Sequence, residues 1–581
     1  MSKNPNYTIH KAYTMNKAWK HLALQLCLVI FVVLVSISCV GASKTDKNTI
    51  EVQILAINDL HGQLEPATGK TTTGYNETGD PIRVETGGAE YLATHIQKLS
   101  SENPNTIVVS AGDSVGASPL LSALFHDEPT IKTLNAIGFD FSAVGNHEFD
   151  EGPEELIRLQ NGGCHPKDGC LNNSFFEGAE FQFLAANIVN ETTNATLFPA
   201  YNVTCIQKVP VGFIGISLKD TPSIVTASGV KGVKFLDEAE TINEYVGKLK
   251  ELGVKTIIVI IHDGGSQSGL YNESLNMSGP IIDVVNATDD EVDVFITGHT
   301  HQAYNAVIDG RIVTEVGSAG NLLTDVDLVI NNRTKDVIDV RSRNIPVSRD
   351  VPKDPEVSEL VNEYKALVAP LANRVVGNIT GNITSSANEA GESALGDFVA
   401  DAQLYATSNS SSGGAVMAFT NPGGIRASLT YDQISGGELP GQVTYGEAFN
   451  VQPFGNNMIT MTLNGTQIDA LLEQQFDNPT PGSKRILQVS KGFSYTWDER
   501  APAGEKVEIS SIKLNGTSID PDTPYRVTVN NFLADGGDNF SILKEGVNRI
   551  VGPVDTDALI NYLSVSSSVN PGKTDRIILV K

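Results

Sequence analysis

The chain has 581 residues, 40% of them hydrophobic and 19% charged, and a formal net charge of -27. That length exceeds what one ordinary core supports, so two domains are expected. So acidic a surface excludes tight binding to long DNA or RNA, while a small phosphate ester stays compatible wherever bound cations supply local positive charge.

The N-terminal stretch from His21 to Ala42 is strongly apolar, follows Lys17 and Lys20, and ends in the small residues Val40-Gly41-Ala42. This pattern predicts a secretory signal peptide over 1–42, with Met15 as a possible true start. The run is also long enough to span a bilayer, so an uncleaved anchor is the alternative. With cleavage the mature chain is secreted or extracytoplasmic and has no stable membrane span. Fifteen Asn-x-Ser/Thr sequons after this segment, among them Asn76, Asn194, Asn202, Asn332 and Asn515, fit a glycosylated extracellular surface.

Residues 50–345 alternate short Val- and Ile-rich runs (VQILAI, TIVVSA, FSAVG, VGFIGI, TIIVII, VDVFIT) with polar, helix-like segments. Runs this short read as buried strands of an α/β domain. Within this region Cys164 and Cys170 bracket a tight HPKDG loop, and in an exported chain they are expected to form a disulfide. Cys205 is left as a lone buried thiol.

Five motifs follow these runs directly: Asp59-Leu60-His61, Gly112-Asp113, Gly145-Asn146-His147-Glu148, Ile261-His262 and Gly298-His299-Thr300-His301. Ligands of α/β sheets gather beyond the carboxyl ends of the strands, so the five can converge on one site. Carboxylate, imidazole and amide oxygen together suit Zn²⁺ or Mn²⁺. Asp59, His61, Asp113, Asn146, His262, His299 and His301 exceed what one tetrahedral ion needs and suit a pair of divalent metal ions. His147 beside Asn146 can protonate a leaving oxygen, and Asp150 can hold its ring or merely cap a helix starting near Pro153. Glu148 and Glu151 read as structural or solvated, and His126 and His165 as loop and surface residues.

Asp354-Pro355-Glu356 predicts a helix start, and the stripe Val357, Leu360, Val361, Tyr364, Leu367, Val368 and Leu371 continues it over 354–372 as a connector packed on one domain. A second domain over 374–581 opens with a helix-like GESALGDFVADAQLYA and continues with strand-like runs separated by Gly-rich turns. There Arg426 offers a planar fork for phosphate, Phe454 and Phe532 two faces of a base clamp, Asp538 an acceptor for ribose hydroxyls, and Asn421 a polar group near exposed backbone.

The five first-domain motifs resemble the calcineurin-like metallophosphoesterase signature, and AGDSVGASPL, VGNHEFDEG and GHTH resemble its 5′-nucleotidase branch. NFLADGGDNF, with NPGGIRASL and VQPFGNN, is similar to the 5′-nucleotidase C-terminal domain, so the resemblance covers nearly the whole mature chain. It implies a four-layer α/β/β/α sandwich over 50–345, a linker helix, and a separate mixed α/β substrate-binding domain. Carried over by position, one metal takes Asp59, His61, Asp113 and His301, and the other Asp113, Asn146, His262 and His299, with Asp113 as the bridge. The resemblance implies His147 and Asp150 as the catalytic dyad. It assigns Phe454 and Phe532 to the base, Arg426 to phosphate, Asp538 to ribose and Asn421 to the base edge. It also implies a rotation between open and closed states, with the helix near 355–372 as pivot. The expected reaction is phosphate release from nucleoside 5′-monophosphates by a metal-activated hydroxide. The alternatives are a 2′,3′-cyclic-nucleotide phosphodiesterase with 3′-nucleotidase activity, a UDP-sugar hydrolase, or a catalytically silent nucleotide-binding surface protein. One departure stands out. Gly391 occupies the place where animal ecto-enzymes carry a further phosphate-binding Arg.

Overall fold

The computed structural model describes residues 48–66, 70–171 and 174–581. The expected signal peptide over 1–42 lies outside the described residues. Among the described residues no helix is long and apolar enough to cross a membrane.

Two six-stranded sheets form the first half. One runs in the order Val337–Pro346, Leu322–Asn331, Thr49–Ile57, Thr106–Ser110, Phe141–Ala143, Gln182–Leu184; the other in the order Ala303–Ile308, Arg311–Val316, Val294–Ile296, Thr256–His262, Val209–Ser217, Tyr201–Ile206. Strand alternation explains how the sheets stack. Val52, Ile54 and Val109 of the first sheet meet Phe213, Ile258 and Ile260 of the second in one inner core. The opposite faces carry Leu55, Ile57 and Val108 on one side, and Ile257, Val259 and Ile261 on the other; each packs under helices. Both faces of both sheets are therefore covered, which is why these strands read as continuous apolar runs. The result is the four-layer α/β/β/α sandwich.

The central strands are parallel: Thr49–Ile57 with Thr106–Ser110, that strand with Phe141–Ala143, and Thr256–His262 with both Val209–Ser217 and Val294–Ile296. Their carboxyl ends consequently open on the same edge of the sandwich.

The helix Pro355–Ala372 starts as the sequence directs. Asp354 accepts the Val357 N–H at 2.9 Å and is itself tied to Gln97 at 2.8 Å. Its buried stripe is narrower than expected. Val357, Val361, Tyr364 and Val368 enter the core of the first half, whereas Leu367 is 41% exposed. The second half holds a five-stranded sheet (Gln488–Val489, Met417–Thr420, Pro524–Asn530, Asn457–Asn464, Val547–Val554) and a four-stranded one around Phe493–Asp498. The helix Ala394–Thr407, capped by Ser393, covers the first of these.

Cys164 and Cys170 are disulfide-bonded. Cys205 corrects the expectation of a lone buried thiol: it is only half-buried and is itself disulfide-bonded. Pairing between distant cysteines cannot be read from their spacing.

Candidate metal centre

The five motifs sit at the carboxyl ends of the parallel strands, where the chain must turn sharply. Five of the seven candidate ligands bend through the left-handed region: Asp59 (φ 50°), His61 (49°), Asp113 (48°), His299 (78°) and His301 (55°). Such backbone costs on the order of 1 kcal/mol or more per residue and persists where the surroundings enforce it. Here they do. A Cβ on Gly145 would lie 2.2 Å from Asp113 Oδ1, and one on Gly112 would lie 2.7 Å from the Gly145 nitrogen, so the two turns approach only because both residues are glycine.

All seven side chains come together in two groups. His301 Nε2 lies 3.3 Å from Asp59 Oδ1 and 3.1 Å from His61 Nε2. In the second group, His262 Nε2 lies 3.1 Å from Asp113 Oδ2 and 3.2 Å from Asn146 Oδ1, and His299 Nδ1 lies 2.9 Å from the same amide oxygen. Asp113 Oδ2 also faces His61 Nε2 at 3.8 Å, so one carboxylate oxygen looks into both groups.

These spacings fit cations. Two donors each about 2.1 Å from one ion stand about 3.0–3.4 Å apart, the separation seen here, and a shared cation accounts for the 3.1 Å approach of two ring nitrogens, His61 Nε2 and His301 Nε2. Asp59 Oδ1 is buried without a hydrogen-bond partner, and an orphaned carboxylate oxygen among ring nitrogens is a cation-shaped gap. The rings are also fixed in the right tautomer. His61 Nδ1 bonds the Gly116 carbonyl at 3.0 Å and His262 Nδ1 the Ala111 carbonyl at 2.8 Å, which leaves both Nε2 atoms facing inward.

The electrostatics favour neutral rings at His61 and His299, whereas at His262 burial acts downward but Asp113 outweighs it and pushes the ring up to about 10. Burial, reinforced by Arg426, drives the pKa of His61 well below the usual imidazole range; burial and neighbouring His262 bring His299 down to about 3. Neutral imidazole is the form a metal binds. Burial works against ionising Asp113, yet His262 and His147 carry its pKa well below the usual carboxylate range.

His147 stands beside this centre. Its Nδ1 bonds Asp150 Oδ2 at 2.9 Å and its backbone N–H donates to Asp113 Oδ1 at 2.8 Å. Burial lowers the pKa of this ring, but Asp150 and Asp113 outweigh it and the net shift is upward. The helix Pro153–Asn161 has no side-chain cap, so Asp150 serves the ring rather than the helix start.

Glu148 does more than the sequence suggests. Its buried carboxylate accepts the N–H groups of Asp113 (2.9 Å), Gly145 (2.6 Å), Ser114 (2.8 Å) and Val115 (3.4 Å), clamping two ligand-bearing turns together. Glu148→Gln turns an amide NH₂ toward these donors. We expect metal affinity, read by metal titration of activity, to fall about 10–100-fold with little change in KM at saturating metal.

The five residues expected to contact substrate line a single cavity of ≈ 360 Å³ together with Asn146, His147, Asp150 and His299. Arg426 Nη2 comes within 3.4 Å of His61 Nε2, and the Phe454 ring stacks on His147 with centroids 5.7 Å apart. At the far end Asp538 Oδ2 accepts from Asn421 Nδ2 at 3.0 Å, and Asn530 Nδ2 donates to Asn421 Oδ1 at 3.1 Å. Phe532 lies on the same wall. Arg485, which sequence reasoning missed, also lines this end and pairs with Asp538. Gly391 does not line this cavity; it has φ +88°, and a Cβ there would strike Ile486 at 2.5 Å.

The chain matches the family model for calcineurin-like phosphoesterase over residues 52–303 and that for the 5′-nucleotidase C-terminal domain over 375–545. It is 31% identical over 560 residues to the endonuclease YhcR of Bacillus subtilis, which covers 95% of this chain but 43% of that protein. It is 33% identical over 545 residues to the cell wall protein Lmo0130 of Listeria monocytogenes, covering 89% of this chain and 67% of that one. Among solved structures, the 5′-nucleotidase precursor from Thermus thermophilus superposes with a TM-score of 0.73 at 26% identity, covering 91% of this chain and 99% of that one. The chain thus spans less than half the length of one of these curated relatives and two thirds of the other.

Proposed function

The chain belongs to the 5′-nucleotidase family of metal-dependent calcineurin-like phosphoesterases, and from that premise we propose that it releases phosphate from nucleoside 5′-monophosphates outside the cytoplasm. The observation that carries this reading is the meeting of the two halves: Arg426 reaches within 3.4 Å of His61 while Phe532 and Asp538 of the same half line the far end of that cavity. A phosphate-binding guanidinium and base- and ribose-type contacts lining one cavity are the set of groups a mononucleotide needs.

In this reading Asp59, His61, Asp113 and His301 hold one divalent cation, and Asp113, Asn146, His262 and His299 the other, Zn²⁺ or Mn²⁺ by donor chemistry. When bound, such a pair neutralises the phosphoryl group and makes water a nucleophile near neutral pH. The protein's own side chains do the rest. Burial lowers the pKa of Arg426 against the pull of Asp113 and Asp150, so its guanidinium gains from an anionic partner, and it orients the phosphate. Asp150 fixes the His147 tautomer, leaving Nε2 to give a proton to the departing ribose oxygen. Phe454 and Phe532 hold the base by stacking, Asn421 faces its edge, and Asp538, set by Asn421 and Arg485, accepts from the ribose hydroxyls.

A substrate panel tests this. AMP should be hydrolysed in preference to 3′-AMP, 2′,3′-cyclic AMP and a UDP-sugar. Phe532→Ala should weaken kcat/KM for AMP by about 5–150-fold, the value of 1–3 kcal/mol of lost stacking, and leave p-nitrophenyl phosphate unchanged. Faster turnover of the cyclic nucleotide would move the assignment to the phosphodiesterase alternative.

A further inference from the structure

A buried acid outside the candidate ligand set stands behind two of its histidine turns. Glu315 lies near the end of the strand Arg311–Val316 and is 1% exposed. Both of its carboxyl oxygens lie 2.8 Å from Thr300 Oγ1, and Oε1 also accepts the Gln302 N–H at 3.1 Å. Thr300 is the residue between His299 and His301, and its hydroxyl reaches the Gly265 carbonyl at 2.7 Å. Gly265 belongs to the turn that follows His262. The acid is packed tightly against that turn as well, since a Cβ on Gly264 would lie 2.4 Å from Glu315 Oε2.

The two histidines that flank Thr300 serve different donor groups. His301 faces Asp59 and His61, and His299 faces Asn146. Both hold left-handed backbone, φ 78° at His299 and 55° at His301, and such backbone persists only under constraint from its surroundings. The Thr300 side chain supplies that constraint from between them, gripped by a carboxyl on one side and a carbonyl on the other. The same strand end makes a second tie. Asn58 Oδ1 accepts the Val316 N–H at 2.9 Å, and Asn58 Nδ2 donates at 2.7 Å to Asp59 Oδ2, which accepts the His299 N–H at 2.9 Å. Glu315 and Val316 thus bind the turns at Asp59, His262 and His299–His301 into one network.

We propose that Glu315, acting through Thr300, is a positioning residue that fixes the His299–His301 turn against the His262 turn and so sets the spacing of the donors offered to the two ions. This rests on the assignment of those three histidines as metal ligands, and not on the nucleotide reading. Glu315 works differently from Glu148. Glu148 accepts backbone N–H groups alone, and an amide there sets donors against donors. Glu315 faces one N–H and one hydroxyl, and that hydroxyl has another acceptor in Gly265. An amide at 315 can therefore keep every contact: its oxygen accepts from Gln302, and its NH₂ donates to Thr300 Oγ1 while the Thr300 hydrogen stays on the Gly265 carbonyl. Leucine at 315 accepts nothing and leaves the Gln302 N–H without its partner.

Equilibrium dialysis of the metal-free full chain against graded free Co²⁺, whose visible absorption reports ligand geometry, tests it. Wild type should take up two equivalents. Thr300→Val, which keeps the shape of the side chain and removes the hydroxyl, should need about 10–100-fold more free Co²⁺ for half-saturation. Its absorption band should shift, while the melting temperature of the metal-free protein stays at the wild-type value. Glu315→Leu should behave like Thr300→Val, and Glu315→Gln should keep wild-type affinity and spectrum. If Glu315→Leu fails to fold, Thr300→Val and Glu315→Gln decide the matter. Wild-type affinity and spectrum in Thr300→Val overturn the proposal. So does a Glu315→Gln that loses affinity as far as Thr300→Val, or a loss in Thr300→Val that comes with a lower metal-free melting temperature. A wild type that takes up no Co²⁺ overturns the metal assignment itself, and this inference with it.

Discussion

Asp113→Ala is expected to abolish phosphate release from nucleotides and from p-nitrophenyl phosphate alike, by more than about 10³-fold in kcat/KM, because several kcal/mol of transition-state charge stabilisation go with the metal pair. No other side chain can replace it. Its Oδ2 faces His262 at 3.1 Å and His61 at 3.8 Å, one in each donor group, and its Oδ1 takes the backbone N–H of His147 at 2.8 Å. Alanine would therefore remove the proposed shared ligand and loosen the turn that carries His147, the proposed proton donor. The loss should be insensitive to the leaving group, in contrast to Phe532→Ala, which discriminates nucleotides from a simple ester. The measurement is kcat/KM for both substrates at saturating Zn²⁺ or Mn²⁺, with circular dichroism to establish folding. Residual nucleotide hydrolysis within tenfold of wild type would mean that Asp113 is not the bridge.

The second large effect concerns the helix Pro355–Ala372. A fragment ending at residue 350 should fail to fold or should melt far below the intact chain, whereas one ending at residue 373 should fold and hydrolyse p-nitrophenyl phosphate. Val357, Val361, Tyr364 and Val368 lie in the core of the first half, and Lys132 Nζ donates to Tyr364 OH at 2.8 Å. Burial of these four side chains contributes on the order of 10 kcal/mol, comparable to the whole net stability of a domain. The longer fragment keeps every candidate metal ligand and lacks Arg426, Phe454, Phe532 and Asp538, so it should lose the preference for AMP over the simple ester. Comparable melting temperatures for the two fragments would show that the helix is only tethered to the first half.

Much of this was legible because each candidate ligand directly follows an apolar run, and a strand end is where an α/β sheet presents side chains. Asp354 before Pro355 announced the connector helix equally well, through local capping chemistry. What escaped notice depends on distant segments meeting. Glu148 reads only as structural or solvated until the turn at Asp113 brings its N–H groups over the carboxylate and decides for the structural role. Arg485 has no motif around it and gains meaning only beside Asp538. His126 and His165 meet because the disulfide loop that carries His165 lies against His126, a position no spacing reveals. The width of the helix stripe was overstated for a similar reason. Periodicity marks a face, but the neighbouring helices decide how much of it is covered, and Leu367 falls outside.

The anchoring of that helix has a mechanical consequence. A rod embedded in one body along its length cannot be the joint between two bodies. Any bending between the two halves would fall at its carboxyl end, where Asn373 closes the last turn and the Arg374 carbonyl receives the N–H of Tyr445 at 2.8 Å. A joint so short admits rotation more readily than separation. The second half would then pivot like a door on a hinge pin, its near edge around Tyr445–Val451 barely shifting while Arg485 and Phe532, farther out, sweep a wide arc across the opening.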